Sequence, residues 1–226
     1  MEDYSTKKCI LIRHAATDGN KEKRYIGCRT DEGLSQEGID SCLHFRDMLS
    51  SLIRRYKTEN ESLNICTGPM KRAYETAGLL FPEAYVNVIN ELTEMDFGCF
   101  EGHNYEELNG NPDYQCFIDS GGTARIPGGE SRDDFIMRSM RGFYRAMRDN
   151  ADCLSSENPV CSTKDRSINV IVCHSGNIMA VMSSLTGGDY YDHHVNNLDG
   201  YILEYKLNDE NISDLTYNRI SDRLHC

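Results

Sequence analysis

The chain has 226 residues, with 24 Lys and Arg against 36 Asp and Glu (formal net charge −12), 39% hydrophobic residues and 27% charged ones. That composition is typical of a soluble globular protein of one large domain or two small ones, and no apolar run is long enough to cross a bilayer. The acidic balance disfavours nucleic acid and anionic membranes as partners, but surface charge is screened beyond ~8 Å, so a local cationic pocket can still take a small anion.

The first residues, Met1-Glu2-Asp3-Tyr4-Ser5-Thr6, are acidic and polar, unlike a secretory signal. The ten cysteines are evenly scattered and include no Cys-x-x-Cys pair, so reduced thiols and a cytoplasmic location are expected. On that footing Asn60-Glu61-Ser62 and Asn211-Ile212-Ser213 are chance matches to the glycosylation pattern. Lys8 to Ile12 is a short apolar run that reads as a buried strand, and it stops at Arg13-His14 followed by small residues, Thr17, Gly19 and Asn20. A basic, Gly-punctuated loop runs to Ser35. There a helix opens, with Ile39, Cys42, Phe45, Leu49, Leu52, Ile53 and Tyr56 at helical spacing. Leu63 to Cys66 is a second strand, Gly68-Pro69 a break, Met70 to Leu80 a helix, and Tyr85 to Ile89 a third strand.

From Gly102 to Gly129 the periodicity fades, and the segment reads as an excursion over the strand edge with a short helix near Tyr105–Leu108. Ser131-Arg132-Asp133-Asp134 resembles a capping box ahead of a helix carrying Ile136, Met140, Phe143, Tyr144 and Met147. Residues 150–167 read as a polar loop. Ile168 to Cys173 is the most strand-like run, ending in His174-Ser175-Gly176-Asn177, and a helix from Ile178 stops at Gly187-Gly188. His193-His194 reads as a solvated loop more readily than as a metal-ligand pair. Tyr201–Tyr205 and Ile212–Tyr217 read as two edge strands. Alternating strands and helices imply an α/β fold with a mainly parallel sheet.

Three strands thus end near chemistry. Arg13 and His14 follow the first, Arg72 sits just past the second, and His174 follows the strand from Ile168. In a parallel sheet these ends lie side by side at the edge where open α/β sheets bind ligands. Two guanidinium groups and two imidazoles around one point need an anion, and arginine matches phosphate oxygens with paired donors. The helix N-termini after Pro69 and Gly176 would add backbone N–H groups. Glu94, close after the third strand, is placed to face the site. A rival reading uses Cys66 and Arg72, six apart at a strand-to-helix turn, as a cysteine-phosphatase loop. It is disfavoured because Pro69 has no N–H to give a phosphate and Ala73 stands where Ser or Thr would help the thiol leave.

Taken together, these blocks resemble the histidine phosphatase superfamily, the phosphoglycerate-mutase-like fold. Arg13-His14-Ala15-Ala16-Thr17-Asp18-Gly19-Asn20 is similar to its Arg-His-Gly-x-Thr-x-x-Asn signature. Gly68 to Ala77 resembles its second arginine segment and Glu94 to Gly102 its acid loop, and Pro127-Gly128-Gly129-Glu130-Ser131 and Val172 to Gly176 also match. The blocks run in family order from about Cys9 to Asn177. Ala15 in place of the usual Gly requires the backbone there to avoid positive φ, and Ile26 replaces a polar side chain. Residues Arg24 to Gly38 resemble the α-ribazole phosphatase branch.

The resemblance implies a three-layer α/β/α fold, a single domain over 1–226 with a substrate-covering excursion at about 102–130, and no metal or organic cofactor. It further implies a histidine acid/alkaline-type phosphatase, a phosphoric monoester hydrolase acting on a small phosphorylated metabolite, with α-ribazole phosphate one candidate. His14 would be the nucleophile, forming a phosphohistidine, and Glu94 the acid. Arg13, Arg72 and a protonated His174 would stabilise the charge, while Thr17 and Asn20 would hold the phosphoryl oxygens or the loop. Gly27, Ser175 and Gly176 complete the expected substrate-binding set. The alternatives are a cofactor-dependent phosphoglycerate mutase and a non-catalytic phospho-ligand binding protein. The sequence carries no signal for oligomeric state.

Overall fold

The structure, a computed structural model, describes residues 6–59, 61–148, 167–208 and 211–224. The apolar run after the N-terminus forms β1 (Lys7–Arg13), in which Cys9 and Leu11 face one side of the sheet while Ile10 and Ile12 face the other. It is followed by α1 (Asp18–Lys21), α2 (Gln36–Tyr56), β2 (Ser62–Thr67), α3 (Lys71–Leu80), β3 (Val86–Val88), α4 (Pro112–Asp119), α5 (Arg132–Arg148), β4 (Ser167–Cys173) and α6 (Ser175–Thr186). The hairpin β5 (Gly200–Asn208) and β6 (Asn211–Arg219) and the short α7 (Ile220–Arg223) complete the order.

The six strands make one sheet in the order β3-β2-β4-β1-β5-β6. β3, β2, β4 and β1 are mutually parallel, and β5 and β6 join antiparallel at one edge. One face buries Ile10, Ile12, Ile65, Val170 and Val172 against α2 and α3. The other buries Cys9, Leu11, Cys66 and Ile171 against Phe143 and Ala146 of α5 and Ile178, Val181 and Met182 of α6. This is the three-layer α/β/α architecture expected, and the cover on both faces of β1, β2 and β4 explains the near-continuous apolar runs in the sequence.

Two local expectations are corrected. Residues 105–110 form turns, not a helix; the helix of the excursion is α4, which Asn111 caps through bonds from the Asp113 and Tyr114 amides (2.9 and 3.3 Å), with Pro112 at its first turn. α6 begins at Ser175, three residues before Ile178, directly off the tip of β4. The excursion packs through Leu108, Phe117 and Ile126, with Phe100 of the acid loop, onto Phe135 of α5 and Ala180 of α6. The expected loop at 150–167 lies outside the described residues except for Ser167, which opens β4. The seven described cysteines are all free thiols.

Candidate active site

The register puts Arg13 of β1 beside Cys173 of β4, and the His14 amide donates to the Cys173 carbonyl (2.9 Å), so His14 and His174 stand at neighbouring strand tips. Their rings lie 5.1 Å apart at 64°. Both are buried, at 3% and 0% exposure. A 2.7 Å bond links Nδ1 of His14 to the Ala15 carbonyl. A carbonyl can only accept, so the proton sits on Nδ1 and the lone pair on Nε2. Ala15 keeps negative φ, as its replacement of Gly requires, and its amide donates to Thr76 Oγ1 (3.0 Å).

Arg72, 1% exposed near the start of α3, donates Nη1 to the Thr30 carbonyl (3.0 Å) and Nη2 to the Ile26 and Gly27 carbonyls (3.3 and 3.1 Å). Arg13 donates Nη1 to the Val195 carbonyl (2.7 Å). Both guanidinium groups are therefore held by backbone on one side. Glu94 is buried, its Oε1 accepts the Met95 amide (2.9 Å), and its Oε2 lies 3.8 Å from Nδ1 of His174. Of the six buried side-chain polar atoms without a protein partner among the described residues, four are here: Arg13 Nε, both ring nitrogens of His174, and Ser175 Oγ. Unpaired buried polar groups are costly, so their convergence marks a ligand site.

Burial, and then the charges of Arg72 and Arg13, push the His14 imidazole well below its ordinary range. Burial, Arg72, His14 and Arg13 do the same to His174. Both rings are neutral at neutral pH, so the expectation of a protonated His174 does not describe the free protein; a bound anion is needed to bring the charge. Burial raises the Glu94 carboxyl, opposed by the Met95 amide and by Arg72, Arg13 and Arg138. A raised Glu94 carboxyl beside His174, whose ring packs on the neutral, Nδ1-protonated His14, suits an acid grouped with a nucleophile.

The remaining expected residues divide. Ser175 and Gly176 open α6 against Glu94; a Cβ on Gly176 would lie 2.5 Å from Glu94 Oε1, so only glycine lets the carboxylate approach. Thr17 and Asn20, expected to hold the phosphoryl oxygens or the loop, bond to each other within the loop after β1. The Asn20 amide donates to Thr17 Oγ1 (3.2 Å) and the Thr17 amide to Asn20 Oδ1 (3.4 Å). Asn197, which sequence reasoning passed over, donates Nδ2 to both Asn20 Oδ1 (3.1 Å) and the His14 carbonyl (2.8 Å). The Gly27 amide donates to Glu101 Oε1 (2.8 Å), and a Cβ there would meet the Met95 carbonyl at 2.1 Å. Cys66 lies in the core on the α5 and α6 side, fully buried within β2, which removes the geometry of a cysteine-phosphatase loop. His193 is buried, with Nε2 3.1 Å from Thr186 Oγ1, whereas His194 is exposed.

Beside Glu94 a cavity of about 300 Å³ opens, walled by Tyr25, Phe97, Phe117, Met179 and Tyr190, with Arg132 and His194 also lining it. Of the excursion's aromatic residues, Phe117 faces this cavity. Tyr114 packs on Phe100, with its hydroxyl 3.2 Å from that of Tyr25, and Tyr105 is exposed. The acid loop is clamped to α5 by Arg138. Its Nη1 donates to the Glu91 and Thr93 carbonyls (2.9 Å each), and its Nη2 and Nε to Glu130 (2.7 and 2.9 Å).

A sequence model described as Histidine phosphatase superfamily (branch 1) matches residues 9–217. A bifunctional protein of Mycobacterium tuberculosis is 29% identical over 141 residues, 60% of this chain and 36% of that protein. Phosphoserine phosphatase 1 of Hydrogenobacter thermophilus is 29% identical over 146 residues, 62% of this chain and 64% of its own. The chain thus spans about a third of the mycobacterial relative and under two thirds of the other. Among solved structures, a putative α-ribazole-5′-P phosphatase from Escherichia coli superposes with a TM-score of 0.71 at 20% identity, covering 94% of this chain and 95% of that one. A phosphoserine phosphatase mutant from Entamoeba histolytica, in complex with phosphoserine, gives 0.68 at 23% identity, covering 96% and 98%.

Proposed function

Because the chain belongs to branch 1 of the histidine phosphatase superfamily, we propose that it is a phosphomonoester hydrolase that works through a phosphohistidine on His14. The observation that carries this reading is the neutral His14, with its lone pair on Nε2, set against the unpartnered donors of Arg13, His174 and Ser175. Nε2 of His14 attacks phosphorus as the P–O bond to the alcohol breaks, and the Glu94 carboxyl gives its proton to the departing oxygen. The resulting Glu94 carboxylate then takes a proton from water as that water attacks phosphorus. The P–N bond breaks, neutral His14 is restored and phosphate leaves. Arg13 and Arg72 hold the equatorial oxygens; each fixed contact of this kind is worth ~3–4 kcal/mol in the barrier. His174 gains its proton when the phosphoryl dianion enters, because the anion reverses the local charge balance.

The substrate is a small phosphorylated metabolite, with α-ribazole phosphate one candidate. The chain functions as one domain across residues 1–226, in a cytoplasmic setting that the free thiols support. A mutase reading is disfavoured because a bisphosphorylated intermediate needs several cations facing the phosphohistidine. Among the described residues Arg132 is the single arginine or lysine lining the cavity; Arg29 pairs with Asp96 (2.7 Å), and Arg125 pairs with Asp134. The test supplies a panel of phosphomonoesters, including α-ribazole phosphate, and separately 3-phosphoglycerate with catalytic 2,3-bisphosphoglycerate. Release of inorganic phosphate outpacing isomerisation supports the hydrolase; isomerisation running much faster overturns it.

A further inference from the structure

The cavity beside Glu94 combines apolar aromatic walls with one unneutralised cation. Arg132, the first residue of α5, lies with its guanidinium 5.4 Å from the Tyr190 ring centre and 5.8 Å from that of Tyr191. One of its five N–H donors is committed, Nη1 to the Gly121 carbonyl (3.1 Å), and among the described residues no carboxylate pairs with it. Its neighbours differ: Arg125 pairs with Asp134 and Arg138 with Glu130. A guanidinium laid on aromatic rings and left without a carboxylate is pre-organised for a planar anion.

The cavity also sets the size and charge of that anion's carrier. Tyr190 donates its hydroxyl to the Gly176 carbonyl (3.3 Å), next to Glu94, while its ring face carries Arg132. One tyrosine side chain therefore spans the distance from the acid to the cation. Among the described residues no second cation is available in the lining: partial burial, then Arg13 and Arg219, pull the His194 imidazole down, leaving it neutral. A second phosphate, at about −1.5 to −2, would be under-neutralised by one guanidinium, whereas a single carboxylate is matched by paired N–H bonds.

We propose that Arg132 is a specificity-determining residue and that the leaving alcohol carries one carboxylate on a flat, apolar body about one aromatic ring long, a chemistry that ranks carboxylated esters ahead of the carboxylate-free α-ribazole phosphate. This rests on the hydrolase reading, since it takes Glu94 as the point where the alcohol departs. The probes are 4-carboxyphenyl phosphate and phenyl phosphate, compared by kcat/KM for phosphate release. The native protein should favour the carboxylated ester by about tenfold or more, the usual worth of a charge-assisted pair. Arg132→Met should bring the ratio to about one, and Arg132→Lys should leave it in between. Arg132→Glu should invert the preference toward 4-(aminomethyl)phenyl phosphate, which a purely structural role for Arg132 would not do. A native ratio near one, or a ratio unchanged in Arg132→Met, overturns the inference while leaving the hydrolase reading intact. If neither ester yields phosphate and no phosphoenzyme forms, the hydrolase reading fails and takes this inference with it.

Discussion

Replacing Arg138 with Met tests whether the acid is positioned by the clamp on its loop. The substitution keeps the stem's volume but removes bonds to the Glu91, Thr93 and Glu94 carbonyls and the ion pair to Glu130, whose Oε2 also accepts the Asp96 amide. Removing one partner of a buried pair costs 3–5 kcal/mol. Side-chain exposures of 17% and 22% for Arg138 and Glu130 put this case near the lower end, about 3 kcal/mol by the same measure. For a chain of this size that is a fall in Tm of roughly 10 °C. The kinetic effect should be selective. A misplacement of ~1 Å costs about 100-fold, and the loss should fall on alkyl phosphates, which need a proton on the leaving oxygen, far more than on p-nitrophenyl phosphate. Arg138 also holds the Glu94 carboxyl down, so its removal should move the basic limb of the pH–kcat/KM profile to higher pH. The assay is kcat/KM for the two ester types across pH, with Tm by differential scanning fluorimetry. Equal loss on both esters with an unmoved basic limb would refute the positioning role; an unchanged Tm would refute the energetic one.

Gly176→Ala should lower kcat/KM on alkyl phosphates by about 100-fold with the fold intact, because its Cβ would sit 2.5 Å from Glu94 Oε1 and 2.9 Å from the Phe135 ring. Circular dichroism beside steady-state kinetics checks it, and native-level activity contradicts the close approach. Because folding depresses the His174 pKa, the unfolded chain binds more protons below about pH 6.5, so stability rises with pH through that window. Each such imidazole contributes a slope of ~1.4 kcal/mol per pH unit between about 6.5 and its folded value. Urea melts of His174→Gln at pH 5.5 and 7 should therefore show a flatter pH dependence than the native protein, and identical slopes would count against a buried neutral His174.

The strand tips were legible because β1 and β4 are buried on both faces. Runs such as Ile168-Asn169-Val170-Ile171-Val172 can only be central strands, and whatever follows them is delivered to the sheet edge. His14 and His174 came within reach of one another for that reason, and Arg72 follows β2, which pairs with β4. The cavity was not legible, because its walls come from segments remote in sequence. Tyr25 precedes α2, Phe117 sits in α4, Arg132 opens α5, and Tyr190 lies past α6. Tyr190-Tyr191 just beyond the Gly187-Gly188 helix stop was the available signal, since aromatic residues in a loop need something to pack on. α4 was missed although Asn111-Pro112 is a usable cap-and-start pair, because Phe117 is its one buried residue and no apolar period announces it. Thr17 and Asn20 illustrate a different limit: residue types suited to phosphate are equally suited to capping a turn, and the reciprocal bonds between them show in the structure alone.

The central claim is covalent chemistry at His14, and rapid quenching tests it most directly. The protein is mixed with a ³²P-labelled phosphomonoester that it turns over, stopped in base within milliseconds, digested and mapped by mass spectrometry. An acid-labile, base-stable phosphoryl group on the peptide carrying His14, formed at least as fast as turnover and absent in His14→Ala, is the predicted result. Turnover at full rate with no label on that peptide, or label on Cys66, would contradict the account.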